Sequence, residues 1–389
     1  VIDEAGMVPT HDMRKIFGAA QEHNAKVVVI GDERQLKAVE AGRPFAQLHD
    51  HGIPFALMDE IQRQQDPNLR EAVREASQGQ IARSLARMQP YVAEIKADAQ
   101  RYQAIAKEFA ANSPEERRQT LVITGTNQAR DAINREIRTA LGRGDAGQEV
   151  KIVRRVDMTK AQARLVRHYQ PGMVVEASRA YSGMLAEKGE RFRVDSVHRD
   201  FVRLQRENGS LLDWTPPRNP GFIAYEERSI KLDAGDRIQF TQGDNTIGYK
   251  SRELAEVAAI DAKNDRLHIR RSNGQDIPLP LTRPLTIDYG YAATAHSSQG
   301  ATVDRVLVDI DTKSLTTNEA AYYVEISRAR HEAKIYTNDR AKLPEAVQRV
   351  NEKSVALDVA NAKGVKPNLQ PARPIQQRFL PSPDIQRGR

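Results

Sequence analysis

An apolar segment that delivers two adjacent carboxylates opens this 389-residue chain, in the order Val1-Ile2-Asp3-Glu4-Ala5-Gly6. A strand that ends in an acidic pair has the form of a Walker B magnesium site. Asp3 would hold Mg²⁺, often through water, and Glu4 would orient or deprotonate the water that attacks a γ-phosphate. The alternative is an ordinary solvated acidic pair on the surface, so other segments must decide between the two.

A nucleotide site of this class also needs a phosphate-binding turn. That turn is rich in glycine, cradles phosphate with backbone N–H groups, and is followed by Lys and then Ser or Thr. The sequence contains no Gly-Lys pair, and Val1 leaves no room upstream for the turn. The sequence therefore predicts the C-terminal part of a longer protein, and we expect the fragment alone not to hydrolyse ATP.

Composition excludes several classes of function. The absence of cysteine rules out disulfides, thiolate metal sites and cysteine nucleophiles. No apolar run approaches the roughly 20 residues that cross a bilayer, so we expect a cytoplasmic protein without membrane insertion. The net charge of +7 is compatible with a polyanionic partner.

The first part of the chain alternates between strand-like and helical patterns. Residues 26–31 form a β-rich run that ends in glycine, and residues 68–88 carry apolar side chains at helical spacing. A long helix is predicted over residues 91–112, followed by a strand at 121–124 and a further helix through Leu141. This order of elements predicts an α/β domain with a parallel sheet.

After residue 147 the pattern changes to short strands separated by turn signals such as Asn208-Gly209 and Asn273-Gly274. The spacing is typical of small β-barrels. Strand-like runs that suit a parallel sheet return at residues 303–310 and 334–337. An all-β region is therefore predicted to interrupt one α/β domain.

Three further segments suit a nucleotide or phosphodiester. Gln35 follows the second strand-like run, where a neighbouring strand end would face the same phosphate as Asp3. Residues 289–301 are small, rich in hydroxyl groups and contain glycine, which lets backbone and hydroxyl groups approach a phosphate closely. Arg328 ends an apolar stretch, and its planar fork suits γ-phosphate oxygens.

In this order, the segments around Asp3, Gln35, Gln299 and Arg328 resemble motifs II, III, V and VI of superfamily 1 DNA helicases of the RecD-like group. Residues 56–64 resemble motif IV, whose arginine, here Arg63, reaches the nucleotide. Residues 122–130 are similar to the strand-turn element that contacts single-stranded DNA.

The resemblance extends to the conjugative relaxase-helicases of the TraI/TrwC kind. It rests on phrases at residues 171–175, 188–194, 235–241, 288–292 and 297–306. It implies a motor of two RecA-like domains with ATP and Mg²⁺ at their junction, moving 5′ to 3′ along single-stranded DNA during plasmid transfer. A conjugation coupling protein and relaxosome components are the further partners it implies. Where the family often has an Asn-Gly turn, this chain has residues Lys250 to Leu254.

The resemblance also implies roles for individual residues. Catalytic roles fall to Asp3, Glu4, Gln35, Arg63 and Arg328, with Asp3 as the metal ligand, and nucleotide contacts fall to Gln299 and Gly300. The residues expected to contact DNA are Thr126, Asn127, Thr294, His296 and Ser297.

The expected organisation follows from the same resemblance. It comprises a remnant of the first RecA-like domain (1–54), a second RecA-like domain in two parts (55–154 and 286–350), a β-module (155–230), an SH3-like insertion (231–285) and a disordered basic, proline-rich tail (351–389).

Two other functions remain open at this stage: a non-catalytic module that binds single-stranded DNA, and a RecD-like repair helicase. His49-Asp50-His51 has the spacing of a metal-binding pair, but an acidic residue separates the histidines, which argues against a ligand site. Trp214 could stack on a base, although a role in the core is the simpler interpretation.

Overall fold

A computed structural model describes residues 1–36, 42–58, 60–159, 161–181, 186–216, 218, 221–244 and 247–349. The chain divides into two compact units, whose described parts lie within residues 1–57 and 58–350. The predicted disordered tail, 351–389, lies outside the described residues. Within the described residues, no helix has the length and apolar content that a membrane span requires.

The first unit contains the helices α1 (Thr10–Glu22) and α2 (Pro44–Asp50). Its two apolar runs lie parallel, with a single bridge between Ile2 and Val29. Ile2 donates its backbone N–H to Val28 at 2.8 Å, and Ile30 donates to Ile2 at the same distance. The β-rich run predicted over residues 26–31 is thus one bridge long, and Ala5 adds one further backbone hydrogen bond, to the carbonyl oxygen of Ile30 at 2.8 Å.

The second unit contains the remaining elements. Its described helices are α3 (Pro67–Ser77), α4 (Ile81–Met88), α5 (Asp98–Ala111), α6 (Pro114–Arg118), α7 (Asn127–Ala140), α8 (Glu319–Ile326) and α9 (Leu343–Val347). Its described strands are β1 (Val92–Glu94), β2 (Thr120–Thr124), β3 (Gln148–Arg155), β4 (Val174–Ala177), β5 (Arg191–Val197), β6 (Val202–Gln205), β7 (Leu211–Trp214), β8 (Phe222–Leu232), β9 (Arg237–Phe240), β10 (Leu254–Asp261), β11 (Arg266–Arg271), β12 (Asp276–Pro280), β13 (Ile287–Tyr289), β14 (Ala292–Thr294), β15 (Val303–Ile310) and β16 (Ala329–Thr337).

A parallel sheet with the strand order β1-β16-β15-β2-β14 lies at the centre of this unit. Every residue of β2 is buried, as expected for a parallel strand that is covered on both faces. Ile105 and Phe109 of α5 and Ile133 of α7 pack with Leu307 of β15 in one core cluster. The parallel sheet with helices packed on it confirms the predicted α/β class.

One predicted helix is wrong at its start. The helix predicted over residues 91–112 begins only at Asp98, because Val92–Glu94 forms β1 and pairs with residues 335–337 of β16. The helical pattern over residues 68–88 is divided between α3 and α4, since Gly79 turns the chain with φ of +75°.

An antiparallel sheet of six strands has the order β3-β8-β4-β5-β6-β7. Its core contains Phe192, Trp214 and Phe222, which are all at least 95% buried. Strand β3 pairs with β8 along its whole length, so this sheet begins at Gln148 rather than near residue 155. Because its backbone pairs with β8, β3 belongs to this antiparallel sheet and not to the parallel one.

A second antiparallel sheet, with the order β12-β11-β10-β9-β13, follows the first. Ile238, Phe240 and Leu267 are fully buried in its core. Where the resemblance suggested an Asn-Gly turn, Arg252 adopts the left-handed conformation with φ of +68° and donates its backbone N–H to Phe240 at 2.7 Å. The two antiparallel sheets are the predicted all-β insertions.

Four charged side chains join the two antiparallel sheets to α7. Arg154 of β3 donates to Asp288 of β13 at 2.5 Å and to Asp131 of α7, which also accepts from Arg130 at 2.8 Å. Burial raises the pKa of Asp131, but hydrogen bonds from Arg154 and Arg130 outweigh it, so the pKa lies below its usual range. We call these four residues the junction cluster.

Candidate functional site

The acidic pair lies directly after the bridge between the two parallel runs of the first unit. Asp3 is exposed and accepts the backbone N–H of Glu4 at 2.8 Å. Glu4 adopts a left-handed conformation with φ of +51°, which is uncommon for a residue with a side chain and often marks a functional site. The acidic pair is therefore presented on a tight turn at the carboxyl end of its segment.

Gln35 follows the second parallel run of the same unit. Its side-chain amide donates to Asp32 at 3.2 Å. Gly31 lets the two runs approach closely, because a Cβ there would lie 3.1 Å from the backbone nitrogen of Gly6 and 3.2 Å from that of Ala5. The two segments that carry Asp3 and Gln35 therefore leave the bridge in the same direction.

The two histidines of the His49-Asp50-His51 segment make separate contacts. The imidazole Nδ1 of His49 lies 3.1 Å from a carboxylate oxygen of Glu33, and that of His51 lies 2.8 Å from the carbonyl oxygen of Gln47. In the part of the chain that the structure describes, no group of three or more His, Cys, Asp or Glu side chains could hold a metal ion.

In the second unit, the structure brings Arg63 and Arg328 to one turn. The guanidinium of Arg63 donates to the carbonyl oxygen of Ser327 at 2.9 Å, although the two residues are 264 positions apart. Arg328 is 1% exposed and donates from Nε to the carbonyl oxygen of Val324 at 3.0 Å. The guanidinium of Arg63 thus contacts the backbone of the residue that precedes Arg328.

A buried acid lies close to Arg328 in sequence. Burial raises the pKa of Glu325 well above its usual range, and the nearby Asp309 adds to the effect.

The five predicted DNA contacts gather at one edge of the parallel sheet. Thr294, the last residue of β14, lies opposite Thr124, the last residue of β2. Thr126 follows β2 and caps α7 by accepting the backbone N–H of Ala129 at 3.1 Å. The remaining predicted residues, Asn127, His296 and Ser297, lie within four positions of these strand ends. The carboxyl ends of parallel strands are where α/β sheets usually bind ligands.

Hydrogen bonds fix the shape of the turn after β14. Ser297 donates its hydroxyl to the carbonyl oxygen of Thr294 at 3.0 Å, and its own oxygen accepts the backbone N–H of Thr294 at 2.8 Å. His296 is exposed on this turn. The geometry leaves an exposed imidazole next to a rigid, hydroxyl-rich backbone.

Comparisons with known proteins match this chain to conjugation proteins. A family described as "AAA domain" matches residues 1–94. The multifunctional conjugation protein TraI of Escherichia coli strain K12 is 24% identical over 93% of this chain and 23% of that protein. The conjugal transfer protein TraA of Rhizobium radiobacter is 25% identical over 92% of this chain and 26% of that protein.

The chain is homologous to TraI and TraA. This confirms the resemblance to conjugative relaxase-helicases. The chain spans about a quarter of the length of these relatives. A crystal structure of the Pif1 helicase from Bacteroides, in complex with ADP-AlF3 and single-stranded DNA, has a TM-score of 0.49 and 16% identity, and covers 94% of this chain and 75% of that chain.

Gln299 and Gly300 line a cleft of about 480 Å³. The same cleft is lined by Lys250 and Arg252, in the connection between β9 and β10, and by Arg271 at the end of β11. The sequence interpretation missed these three cations, because they are near to Gln299 only through tertiary packing.

Gln64 is a further residue that the sequence interpretation missed. Its side chain is 3% exposed, although glutamine is usually found on the surface. It donates to the carbonyl oxygens of Ser327 at 3.0 Å and Ala329 at 2.8 Å. Its only signal in the sequence was its position next to Arg63.

Proposed function

We propose that the chain is the motor segment of a conjugative relaxase-helicase, which uses ATP to move 5′ to 3′ along single-stranded DNA and to unwind duplex DNA during plasmid transfer. The observation that carries this proposal is the meeting of Arg63 and Arg328 at one turn. Two arginines that share one turn suit a polyphosphate, whose charge they would offset. Homology with TraI and TraA supports the same function.

In the first unit, we assign the roles of a Walker B pair. Asp3 is an exposed carboxylate, the kind of oxygen ligand that Mg²⁺ prefers, and would hold that ion. When bound, Mg²⁺ would supply charge neutralisation on the phosphates of ATP. Glu4 would orient or deprotonate the attacking water, and Gln35 would contact the γ-phosphate.

In the second unit, Arg63 and Arg328 would bind phosphate oxygens and stabilise the charge that develops during hydrolysis. Gln299 and Gly300 would contact the nucleotide. Since the sequence holds no Gly-Lys pair, the phosphate-binding turn would come from residues outside these 389.

Single-stranded DNA would bind at the carboxyl edge of β2 and β14. There Thr126, Asn127, Thr294 and Ser297 offer hydroxyl and amide groups for phosphodiester oxygens, and His296 offers an exposed ring. Contacts of this kind carry little sequence information, which suits a translocating motor. A cytoplasmic site of action, a conjugation coupling protein and relaxosome components are further parts of the proposal, and they rest on the resemblance to conjugative relaxase-helicases.

The test uses the full-length protein that contains this chain. Glu4→Gln should lower ATP hydrolysis stimulated by DNA by roughly 10²-fold or more, because it removes the proposed base, while binding of single-stranded DNA stays unchanged. Glu22→Gln, at the exposed end of α1, is the matched control. Undiminished turnover in Glu4→Gln would reject the assigned role and favour a non-catalytic DNA-binding module.

The isolated 389-residue chain gives a second measurement. It should release no phosphate from ATP, with or without DNA, because it has no phosphate-binding turn of its own. Turnover that depends on DNA in this polypeptide would contradict that part of the proposal.

A further inference from the structure

The turn that carries Arg328 is held by a segment from the other end of the unit. Gln64 donates one amide N–H to the carbonyl oxygen of Ser327 and the other to that of Ala329, at 3.0 and 2.8 Å. These two carbonyl groups flank Arg328 on either side. The buried side chain of Gln64 therefore contacts the backbone on both sides of Arg328, whose guanidinium is proposed to bind phosphate.

Other contacts fix the same backbone. Val303 donates its N–H to the carbonyl oxygen of Arg328 at 3.1 Å, and Gln65 donates its backbone N–H to that of Arg330 at 2.7 Å. Four successive carbonyl groups, from Ser327 to Arg330, thus accept hydrogen bonds from outside their own turn. Gln64 is the side chain that donates to the carbonyl oxygen of Ala329, whereas that of Ser327 also accepts from Arg63.

Burial makes this arrangement specific. A primary amide has two N–H donors, and both are used here by Gln64, which is 3% exposed. A buried donor without a partner costs free energy, so the amide has one favourable orientation. That orientation fixes the peptide groups on both sides of Arg328 and hence the direction in which its side chain leaves the backbone.

We infer that Gln64 is a positioning residue for Arg328, with no contact of its own to the nucleotide. The inference rests on the proposed function, because it assigns Gln64 a part in ATP hydrolysis. A displacement of about 1 Å in a catalytic group can cost roughly 10²-fold in rate. Loss of the two hydrogen bonds should therefore reduce turnover rather than nucleotide affinity.

The test is Gln64→Met in the full-length protein, since methionine has nearly the same length and volume but no N–H donor. Gln65→Met is the matched control, because the side chain of Gln65 is exposed and only its backbone contacts this turn. We expect kcat for hydrolysis stimulated by DNA to fall about 10- to 100-fold in Gln64→Met, with KM for ATP within roughly twofold. Gln65→Met should retain the kcat of the wild type.

A double-mutant cycle separates positioning from general stability. If Gln64 acts through Arg328, Gln64→Met should cause little further loss of kcat in an Arg328→Ala background. Equal losses in both backgrounds, or an unchanged kcat in Gln64→Met, would overturn the inference. If Arg328→Ala itself leaves hydrolysis undiminished, the proposed function fails instead.

Thermal unfolding of each variant provides the check on folding. Should Gln64→Met fail to melt cooperatively, Gln64→Asn takes its place, because it keeps an amide but is one methylene too short to reach both carbonyl groups. Gln64→Asn is then combined with Arg328→Ala in the same double-mutant cycle. Little further loss of kcat supports the inference, and equal losses in both backgrounds overturn it.

Discussion

Replacement of Arg101 by methionine should destabilise the second unit strongly. Arg101 of α5 is fully buried, and its Nε lies 2.6 Å from Oδ1 of Asp309. Asp309 is 2% exposed, and its other carboxylate oxygen accepts the hydroxyl of Thr124 at 2.7 Å. Arg101→Met would therefore leave a buried carboxylate without its counter-charge.

The magnitude follows from the geometry of the pair. Removing one partner of a buried ion pair costs about 3–5 kcal/mol, since the remaining charge is desolvated and uncompensated. For a unit of this size, that corresponds to a fall in Tm of about 6–15 °C. Burial raises the pKa of Asp309, with Arg101 opposing that rise, so loss of Arg101 should raise the pKa further.

The assay is thermal unfolding followed by circular dichroism. Because the folded variant would bind a proton at Asp309 more tightly than the unfolded chain does, its deficit should grow as pH rises above the usual range of an aspartate and shrink as pH falls. Arg118→Met is the control, because Arg118 pairs with Glu115 on the surface, where both side chains are more than half exposed.

Two results would refute this reasoning. One is a Tm for Arg101→Met as close to the wild type as that of Arg118→Met. The other is a double variant, Arg101→Met with Asp309→Leu, that is no more stable than Arg101→Met alone, because removing the orphaned carboxylate should recover much of the loss.

Two further predictions concern buried side chains. The raised pKa of Glu325 means that its contribution to stability is present below its unfolded pKa, near 4.5, and is lost as pH rises toward its folded pKa. Glu325→Gln should therefore raise Tm more at about pH 8 than at about pH 5, and an equal change at both would contradict the assignment. Trp214→Ala should cost about 3–5 kcal/mol, since the ring is 1% exposed and lies 4.6 Å from Phe222, while affinity for single-stranded DNA stays unchanged. A stable variant with weakened DNA binding would instead support a stacking role.

The parallel sheet was largely predictable because its strands are continuous apolar runs. The strand predicted at residues 303–310 has the same bounds in the structure, and the one at 334–337 is the end of β16. Residues 91–97 were misassigned because Val92–Glu94 becomes a strand only through pairing with β16, a partner more than 230 positions away. Local periodicity contains no information about such a partner.

The candidate site likewise contains residues that local sequence patterns indicate and residues that only tertiary contacts bring together. Residues such as Asp3 and Thr126 were identifiable because chemistry and a nearby strand end occur together in the sequence. Gln64 and the cleft cations were not, because their neighbours are distant in sequence and appear only after folding. The resemblance had named Arg63 and Arg328. The hydrogen bond from Arg63 to the carbonyl oxygen of Ser327 is nevertheless a tertiary contact that appears only after folding.

The junction cluster has a consequence for how this architecture can change. Arg154 belongs to the six-stranded sheet, whereas the aspartates it neutralises, Asp131 and Asp288, belong to α7 and β13. Excision of residues 148–232 would therefore remove one of the two cations that contact these acids and leave Arg130 alone to offset both, at 2.8 Å from Asp131 and 3.4 Å from Asp288. An exchange of this sheet between homologues should give a folded protein only when Arg154 is transferred with the sheet or when both Asp131 and Asp288 are replaced.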